Sequence, residues 1–425
     1  MQRIRPVELS LLTLPCGIAA AGLAGLALAR GAPVSAALWP AYALAGAFLF
    51  GHAALLWRRP GADQVLLPLA AGLCALGLVV IDRTRPDLLA RQVTWLALGM
   101  TLLVAVVSAD RVVDWLRRYR YTWALLALGL LAITLVFGVD PNASGVRLWV
   151  GVSDYLFQPA ELVKVLMVAF LAAYLDEKRE LLAMGVYRLG PLRLPPLPYL
   201  APSLAMLGLC LLLLLVQHDL GVTFLFFGVY VAMLYAVSGR GIYVVTGLAL
   251  LAAASYAVYG LFRVARLRID LWLDPWADPQ GRGFQVIQAL VAFASGGILG
   301  SGPGYGAPGL IPAAFTDFPF AVIGEELGLV GSLAIVVIYL LLTVRGFRIA
   351  LDLGDSFRGL LAMGLTTTVG LQALIILAGN LKLVPLTGIT LPFVSYGGSS
   401  LVTSLVSLGL LLRLSAEIPA RGADG

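Results

Sequence analysis

The stretch from Pro198 to Val237, PYLAPSLAMLGLCLLLLLVQHDLGVTFLFFGVYVAMLYAV, is apolar on both sides of a single charged interruption, Gln217-His218-Asp219. A helix needs about 20 apolar residues to cross the hydrocarbon layer of a bilayer. The stretch therefore reads as two membrane spans, 198–216 and 219–237, joined by a hairpin or a broken helix at the polar break. Working outward, the same reading gives ten more apolar runs, at 8–29, 34–57, 64–81, 90–108, 121–138, 158–176, 241–262, 317–344, 357–379 and 396–414. The expected fold class is all-α, a polytopic membrane protein of about twelve transmembrane helices. Composition agrees, since 60% of the 425 residues are hydrophobic and 12% charged, with a mean hydropathy of +0.94. Such values exclude a soluble enzyme, a nucleic-acid binder and a disordered scaffold.

Charge reports orientation here. If the N-terminus is cytoplasmic, the inner connections and tails hold 18 of the 29 Lys and Arg against 10 outside, with Lys164 inside a span. That bias places both termini in the cytoplasm. The first run is expected to stay as a helix, because no cleavage pattern leading to a soluble domain follows it. Cys16, Cys74 and Cys210 stand far apart within apolar runs, and the chain has only His52 and His218. A disulfide framework, a zinc site and a histidine-based catalytic cluster are not expected.

The connections are short except one. Residues 264–316 form a loop on the outer face, rich in glycine and proline, in which 284–293 reads as an interfacial helix. Ionisable groups near membrane depth are costly unless paired or wetted, so they mark candidate sites. Glu161 and Lys164, three residues apart at the start of a span, share a helix face; they form a structural ion pair or line a polar cavity. Asp219 stands where a helix begins and is a cap or a substrate contact. Thr316, Asp317, Glu325 and Glu326 lie at the outer start of the next span, and at least one of the adjacent glutamates should face a partner or water. In the loop, Asp274-Pro275 and Asp278-Pro279 are plausible turns. Asp278, with Gly281 and Gly283 close by, is also a candidate for presentation to a cleft. Held near membrane depth and partly desolvated, such a carboxylate suits a general base for a sugar hydroxyl.

Eight pieces of this chain, in order, resemble the SEDS family (shape, elongation, division and sporulation), which includes the RodA and FtsW proteins of the bacterial envelope. They are Arg91-Gln92 with Trp95, Gly145-Val146-Arg147 with Trp149, Gln158-Pro159-Ala160-Glu161 with Lys164, Gln217 with Asp219-Leu220-Gly221, Asp278-Pro279, Thr316-Asp317-Phe318, Glu325-Glu326-Leu327-Gly328, and the run Leu391 to Ser400 containing Ser395. The resemblance implies a peptidoglycan glycosyltransferase that polymerises lipid II, the undecaprenyl-linked disaccharide-peptide, on the outer face of the bacterial cytoplasmic membrane, for elongation, shape or division. It implies Asp278 as the catalytic residue. It also implies Arg91, Arg147, Glu161, Lys164, Asp219, Thr316, Asp317, Glu325, Glu326 and Ser395 as substrate-binding or cavity residues. The implied partners are a class B penicillin-binding protein and other elongation or division proteins. A divalent cation, Mg²⁺ or Mn²⁺, is expected from diphosphate chemistry, although no ligand set can be named and no organic cofactor is implied. Pro385-Leu386-Thr387-Gly388 leans toward the elongation-type, RodA-like member.

The chain departs from the family pattern at Phe315, where a histidine is common, at His218, where a proline is common, and at Leu148, where a second arginine is lost. Residues 1–60 read as a two-helix addition before a ten-span core at 61–416, followed by a short tail at 417–425. The alternatives are a lipid II flippase and a non-catalytic scaffold for the penicillin-binding protein. The sharp features gather at the outer edge and in one loop, which favours chemistry on an outward-facing head group.

Overall fold

The computed structural model describes residues 5–140, 147–152, 155–184, 187–189, 192–194 and 197–418. The protein is all-α and polytopic, apart from two short antiparallel hairpins, Val150–Val152 with Tyr155–Phe157 and Tyr187–Leu189 with Leu192–Leu194. Among the described residues, 11 helices are long and apolar enough to cross a membrane. They are Pro6–Ala29, Val34–Arg58, Leu66–Thr84, Pro86–Ser108, Arg120–Phe137, Pro198–Val216, Leu220–Ser238, Ile242–Leu261, Pro319–Asp352, Ser356–Asn380 and Gly398–Ser415. The twelfth expected span is present as the 19-residue helix Pro159–Glu177. Glu161, Lys164, Asp176 and Glu177 make it less apolar than the others, and nearly all of its length is buried in protein.

The chain divides into two compact units. The first comprises Met1–Ala109, Leu267–Arg345 and Gln372–Glu417; the second comprises Asp110–Arg266, Gly346–Leu371 and Ile418–Gly425.

In the first unit, Leu66–Thr84 and Gly398–Ser415 are the central helices, with 72% and 83% of their spans buried. Pro6–Ala29 packs on the former and Leu89–Ser108 on the latter. Membrane helices gain little from the hydrophobic effect against one another, so close approach at small residues matters. Gly99 meets the Val402 backbone, and Gly398 leaves room for the Trp95 indole that any Cβ would strike. The N-terminal helices are fastened by a buried polar knot. Arg5 pairs with Glu8, which also meets His52 Nδ1 at 2.6 Å, while the guanidinium donates to the carbonyls of Ala62 at 2.8 Å and Asp63 at 2.9 Å.

The span expected at 317–344 is not one regular helix. Pro319–Asp352 breaks at Gly328, whose φ is 65°. A non-helical backbone within a membrane protein must find its hydrogen bonds in surrounding protein, and here the segment 296–302 supplies them. Ser301 N donates to Glu325 O (2.9 Å), Gly302 N to Glu326 O (3.0 Å), Leu329 N to Gly297 O (3.0 Å) and Val330 N to Ile298 O (3.2 Å). A Cβ at Gly328 would collide with Gly300 and Ile298, so the break and the glycine-rich segment specify each other.

In the second unit, Pro159–Glu177 packs between Arg120–Phe137 and Leu220–Ser238. Asp219 starts the last of these, its Oδ1 accepting from Val222 N at 3.1 Å. His218 takes a positive φ of 61° at the turn, so the polar break expected at 217–219 is a tight inter-helix turn.

Candidate active site

The expected outer loop is a set of short helices, Arg263–Leu273, Pro275–Ala277, Phe284–Gly296 and Pro308–Leu310. Phe284–Gly296 is the helix expected from its one polar edge. Asp274 caps the single turn at Pro275, its Oδ1 accepting from Trp276 N at 3.0 Å. Asp278 ends that turn. Its Oδ2 accepts from Arg282 N at 3.1 Å and its carbonyl from Gly283 N at 2.9 Å. A Cβ at Gly281 would press on both Asp278 carboxylate oxygens, and one at Gly283 would strike the Pro275 carbonyl. The two glycines thus allow a closed loop that holds one carboxylate oxygen and points the group outward. On the surface of the chain itself Asp278 is exposed.

Beside this turn, within the same unit, lies a cavity of about 200 Å³. Arg268, Trp272, Arg282, Asp317 and Lys382 line it. Its walls are tied together: Arg268 Nη1 donates to Thr387 O at 2.8 Å, and Trp272 Nε1 to Lys382 O at 3.0 Å. Burial pushes the Asp317 carboxyl up to about 6, against the opposing pull of the Thr316 hydrogen bond and the Arg268 charge. The segment bearing Thr316 and Asp317 is stapled from behind. Ser395 Oγ donates to Thr316 O (2.6 Å), Asn380 Nδ2 to Asp317 O (2.9 Å) and Tyr396 N to Phe315 O (2.8 Å). Phe315 packs against Tyr396 and lies under the Arg85 guanidinium, 5.3 Å from its carbon.

The sequence-chosen residues therefore divide by environment. Asp317 lines the cavity, and Thr316 stands next to it. Ser395 is buried, with its hydroxyl also accepting from Leu391 N at 2.8 Å, so its observed role is to shape the platform under Asp317. Glu325 and Glu326 are buried and turned to protein groups. Glu326 receives Arg83 Nε at 2.6 Å and Gly304 N at 3.1 Å, while Glu325 receives Ala307 N at 2.9 Å. Arg83 also donates to Gly306 O at 2.7 Å, so the two glutamates and this arginine hold the glycine-rich segment in place. Arg91 sits half-buried in the first turn of Leu89–Ser108.

The second unit carries the rest. Glu161 and Lys164 form the expected ion pair at 2.6 Å with both side chains buried, which favours the structural alternative. Asp219 is the helix cap already described. Arg147 is exposed, and Gly145 and Val146 of the same motif lie outside the described residues. Sequence reading missed Arg268, Trp272, Arg282 and Lys382; only the closeness of Arg282 to Asp278 could have flagged one of them. Among the described residues no group of three or more His, Cys, Asp or Glu could hold a metal ion.

A family model described as "Cell cycle protein", spanning FtsW, RodA and SpoVE, matches residues 71–419. The chain belongs to the FtsW/RodA/SpoVE family. Among its relatives, the peptidoglycan glycosyltransferase RodA of Mycobacterium bovis is 39% identical over 387 residues, covering 88% of this chain and 82% of that protein. A probable peptidoglycan glycosyltransferase FtsW of Geobacter metallireducens is 34% identical over 369 residues, covering 84% and 95%. A solved structure titled for the coordination of polymerization and crosslinking by a peptidoglycan synthase complex matches with a TM-score of 0.69 and 31% identity, covering 83% of this chain and 97% of that one. The RodA crystal structure from Thermus thermophilus matches with a TM-score of 0.62 and 28% identity, covering 84% and 98%. The family placement accounts for the motif pieces of the first unit as a packed set: Trp95 fills the space at Gly398, Ser395 and Tyr396 staple the 315–316 backbone, and the Glu325-Glu326-Leu327-Gly328 piece makes the helix break.

Proposed function

We propose that this FtsW/RodA/SpoVE member is a peptidoglycan glycosyltransferase, RodA-like, that polymerises lipid II with Asp278 as general base. The observation that carries the assignment is the Asp278 turn: a solvent-facing carboxylate with one oxygen fixed by Arg282 N, beside a cation-lined cavity. In the reaction the acceptor GlcNAc 4-hydroxyl passes its proton to Asp278 while its oxygen bonds to the anomeric carbon of the donor MurNAc. The bond from that carbon to the diphosphate breaks, and the lipid diphosphate leaves with the electron pair. A fixed carboxylate serves the proton transfer, and preset cations serve the leaving group.

The relatives named as peptidoglycan glycosyltransferases support the reaction class. The match to a synthase complex supports a class B penicillin-binding protein as partner. The bias of Lys and Arg supports a bacterial cytoplasmic membrane protein with both termini inside and the Asp278 loop outside. Residues 1–60 act as an added helix pair before the family core, in keeping with a family match that begins at residue 71. A divalent cation would enter with the diphosphate, for the described residues offer no dense acidic site of their own.

The test is a gel assay of lipid II polymerisation by the purified chain, with and without the class B partner and Mg²⁺ or Mn²⁺. Wild type is expected to yield glycan ladders and Asp278→Asn none, with folding and partner binding unchanged. An Asp278→Asn protein that still makes long glycan would sink the assignment. Absence of ladders from both proteins, beside an active control polymerase, would favour a flippase or scaffold.

A further inference from the structure

We propose that the first N-terminal helix, Pro6–Ala29, braces the outer segment 301–317, with Arg30 at its outer end as a positioning residue for polymerisation. The proposal rests on the glycosyltransferase reading and adds a role for a helix that precedes the family match at residue 71. A helix that only enlarged the bundle would need apolar packing and no particular contact at its ends. This one is tied at both. Its inner end carries the buried knot of Arg5, Glu8 and His52. At its outer end Arg30 Nη1 donates to Asp82 Oδ2 at 2.9 Å and Nη2 to Asp82 O at 2.7 Å. The planar fork thus grips both the side chain and the backbone in the last turn of Leu66–Thr84.

That turn is where the outer segment is held. Next to Asp82 stands Arg83, whose guanidinium donates to Glu326 at 2.6 Å and to the carbonyls of Gly304 at 3.3 Å and Gly306 at 2.7 Å. Two residues further on, Arg85 lies over the Phe315 ring, which packs on Tyr396 and directly precedes Thr316 and the cavity residue Asp317. The N-terminal helix also touches the segment itself. A Cβ at Gly25 would meet Pro303 at 3.5 Å, and one at Gly304, where φ is 88°, would stand 2.7 Å from Ala29. Gly22 makes the same kind of close approach to Val79, as small residues do where membrane helices associate.

A shift of this helix therefore reaches 301–306 by two routes, through Pro303 and Gly304 and through the Asp82–Arg83 turn, and reaches Phe315 through Arg85. Misplacing a catalytic group by about 1 Å can slow a reaction about a hundredfold. The Arg30 and Asp82 side chains are 39% and 14% exposed, and an ion pair this open adds little to stability. Loosening it should register in rate before it registers in unfolding.

Hydrogen exchange of the full chain in detergent, read by mass spectrometry, is compared with the rate of lipid II polymerisation for wild type, Arg30→Gln, Arg30→Lys and Gly25→Leu. The amides of Ser301 and Gly302, which donate to Glu325 O and Glu326 O, should exchange at least about fivefold faster in Arg30→Gln and Gly25→Leu. Exchange within the deeply buried span Gly398–Ser415 should stay unchanged. Polymerisation should fall about three- to tenfold in both, and Arg30→Lys, which keeps a donor for Asp82, should recover part of each loss. Unchanged exchange at 301–302 in both variants overturns the proposal. Faster exchange along the whole chain overturns it too, because that is a plain loss of stability, and so does local loosening with polymerisation unchanged. A wild type that makes no glycan would sink the glycosyltransferase reading and with it the link to rate, while the exchange pattern would still decide whether the helix holds the segment.

Discussion

Glu326 offers the sharpest test of whether the paired carboxylates act on substrate or on the fold. Its side chain is 6% exposed and meets Arg83 Nε at 2.6 Å, and Arg83 is itself 21% exposed. Glu326→Ala removes that charge-assisted bond and the one from Gly304 N. Bonds to charged groups contribute about 1.5–3 kcal/mol each, and orphaning a buried partner costs about 3–5 kcal/mol. Arg83 keeps its bonds to Gly306 O and Gly304 O and some access to solvent, so the expected loss is about 3 kcal/mol, toward the lower end. Replacing both partners with apolar residues, Arg83→Met with Glu326→Leu, leaves no uncompensated charge and should recover much of it. The assay is thermal or denaturant unfolding of the purified chain in detergent, followed by tryptophan fluorescence, across the complete double-mutant cycle. A coupling of about 3 kcal/mol is expected, because each single change leaves a buried charge and the double change leaves none, with polymerisation by the double variant largely retained. Coupling under about 0.5 kcal/mol would refute the positioning role, and a stable but inactive double variant would restore Glu326 to the substrate site.

Three further outcomes follow from the same geometry. Gly281→Ala places a methyl group against the Asp278 carboxylate; polymerisation should fall at least about tenfold with unfolding unchanged within about 1 kcal/mol, as rate and stability measurements on one preparation will show. Burial raises the Asp317 carboxyl from 3.8 to about 6, so between those values the folded protein holds a proton that the unfolded chain has lost. Its contribution to stability is full below 3.8 and declines as pH rises toward 6. The Thr316 hydrogen bond and the Arg268 charge oppose the shift, and unfolding profiles of wild type and Asp317→Asn should differ in slope across that window. Glu8→Ala leaves the buried Arg5 guanidinium without its carboxylate, an expected cost of about 3 kcal/mol, and similar unfolding midpoints for mutant and wild type would contradict it.

Hydropathy made the spans legible because a bilayer demands length and apolarity and little else. Pro159–Glu177 shows the limit, since its burial among other helices lets it carry charges that a lipid-facing span would not tolerate, and its Glu161–Lys164 pair was still readable from the spacing of three. The break at Gly328 was not readable. Its cause is a partner segment nearly thirty residues earlier, where Gly297, Ile298, Ser301 and Gly302 satisfy the backbone that the break exposes. From sequence alone, Glu325 and Glu326 look like stray charges in a helix, and their carbonyls' part in that pairing has no local signature.

The site divides along the same line. Asp278 was legible because proline, aspartate and closely spaced glycines are local turn chemistry, and the structure shows that turn closing on itself through Arg282 and Gly283. Its exposure was not legible, because desolvation depends on what the loop lies against. The cavity beside it was less legible still. Arg268 in a short helix, Arg282 in a turn and Lys382 after a long span each resemble an ordinary interfacial cation. Tertiary bonds such as those from Arg268 to Thr387 and from Trp272 to Lys382 bring the first and last of these segments together. Sequence therefore finds the candidate carboxylate more readily than the cavity: a carboxylate can be presented by ten contiguous residues, whereas the walls of a cavity come from several segments, which no single stretch of a chain can supply.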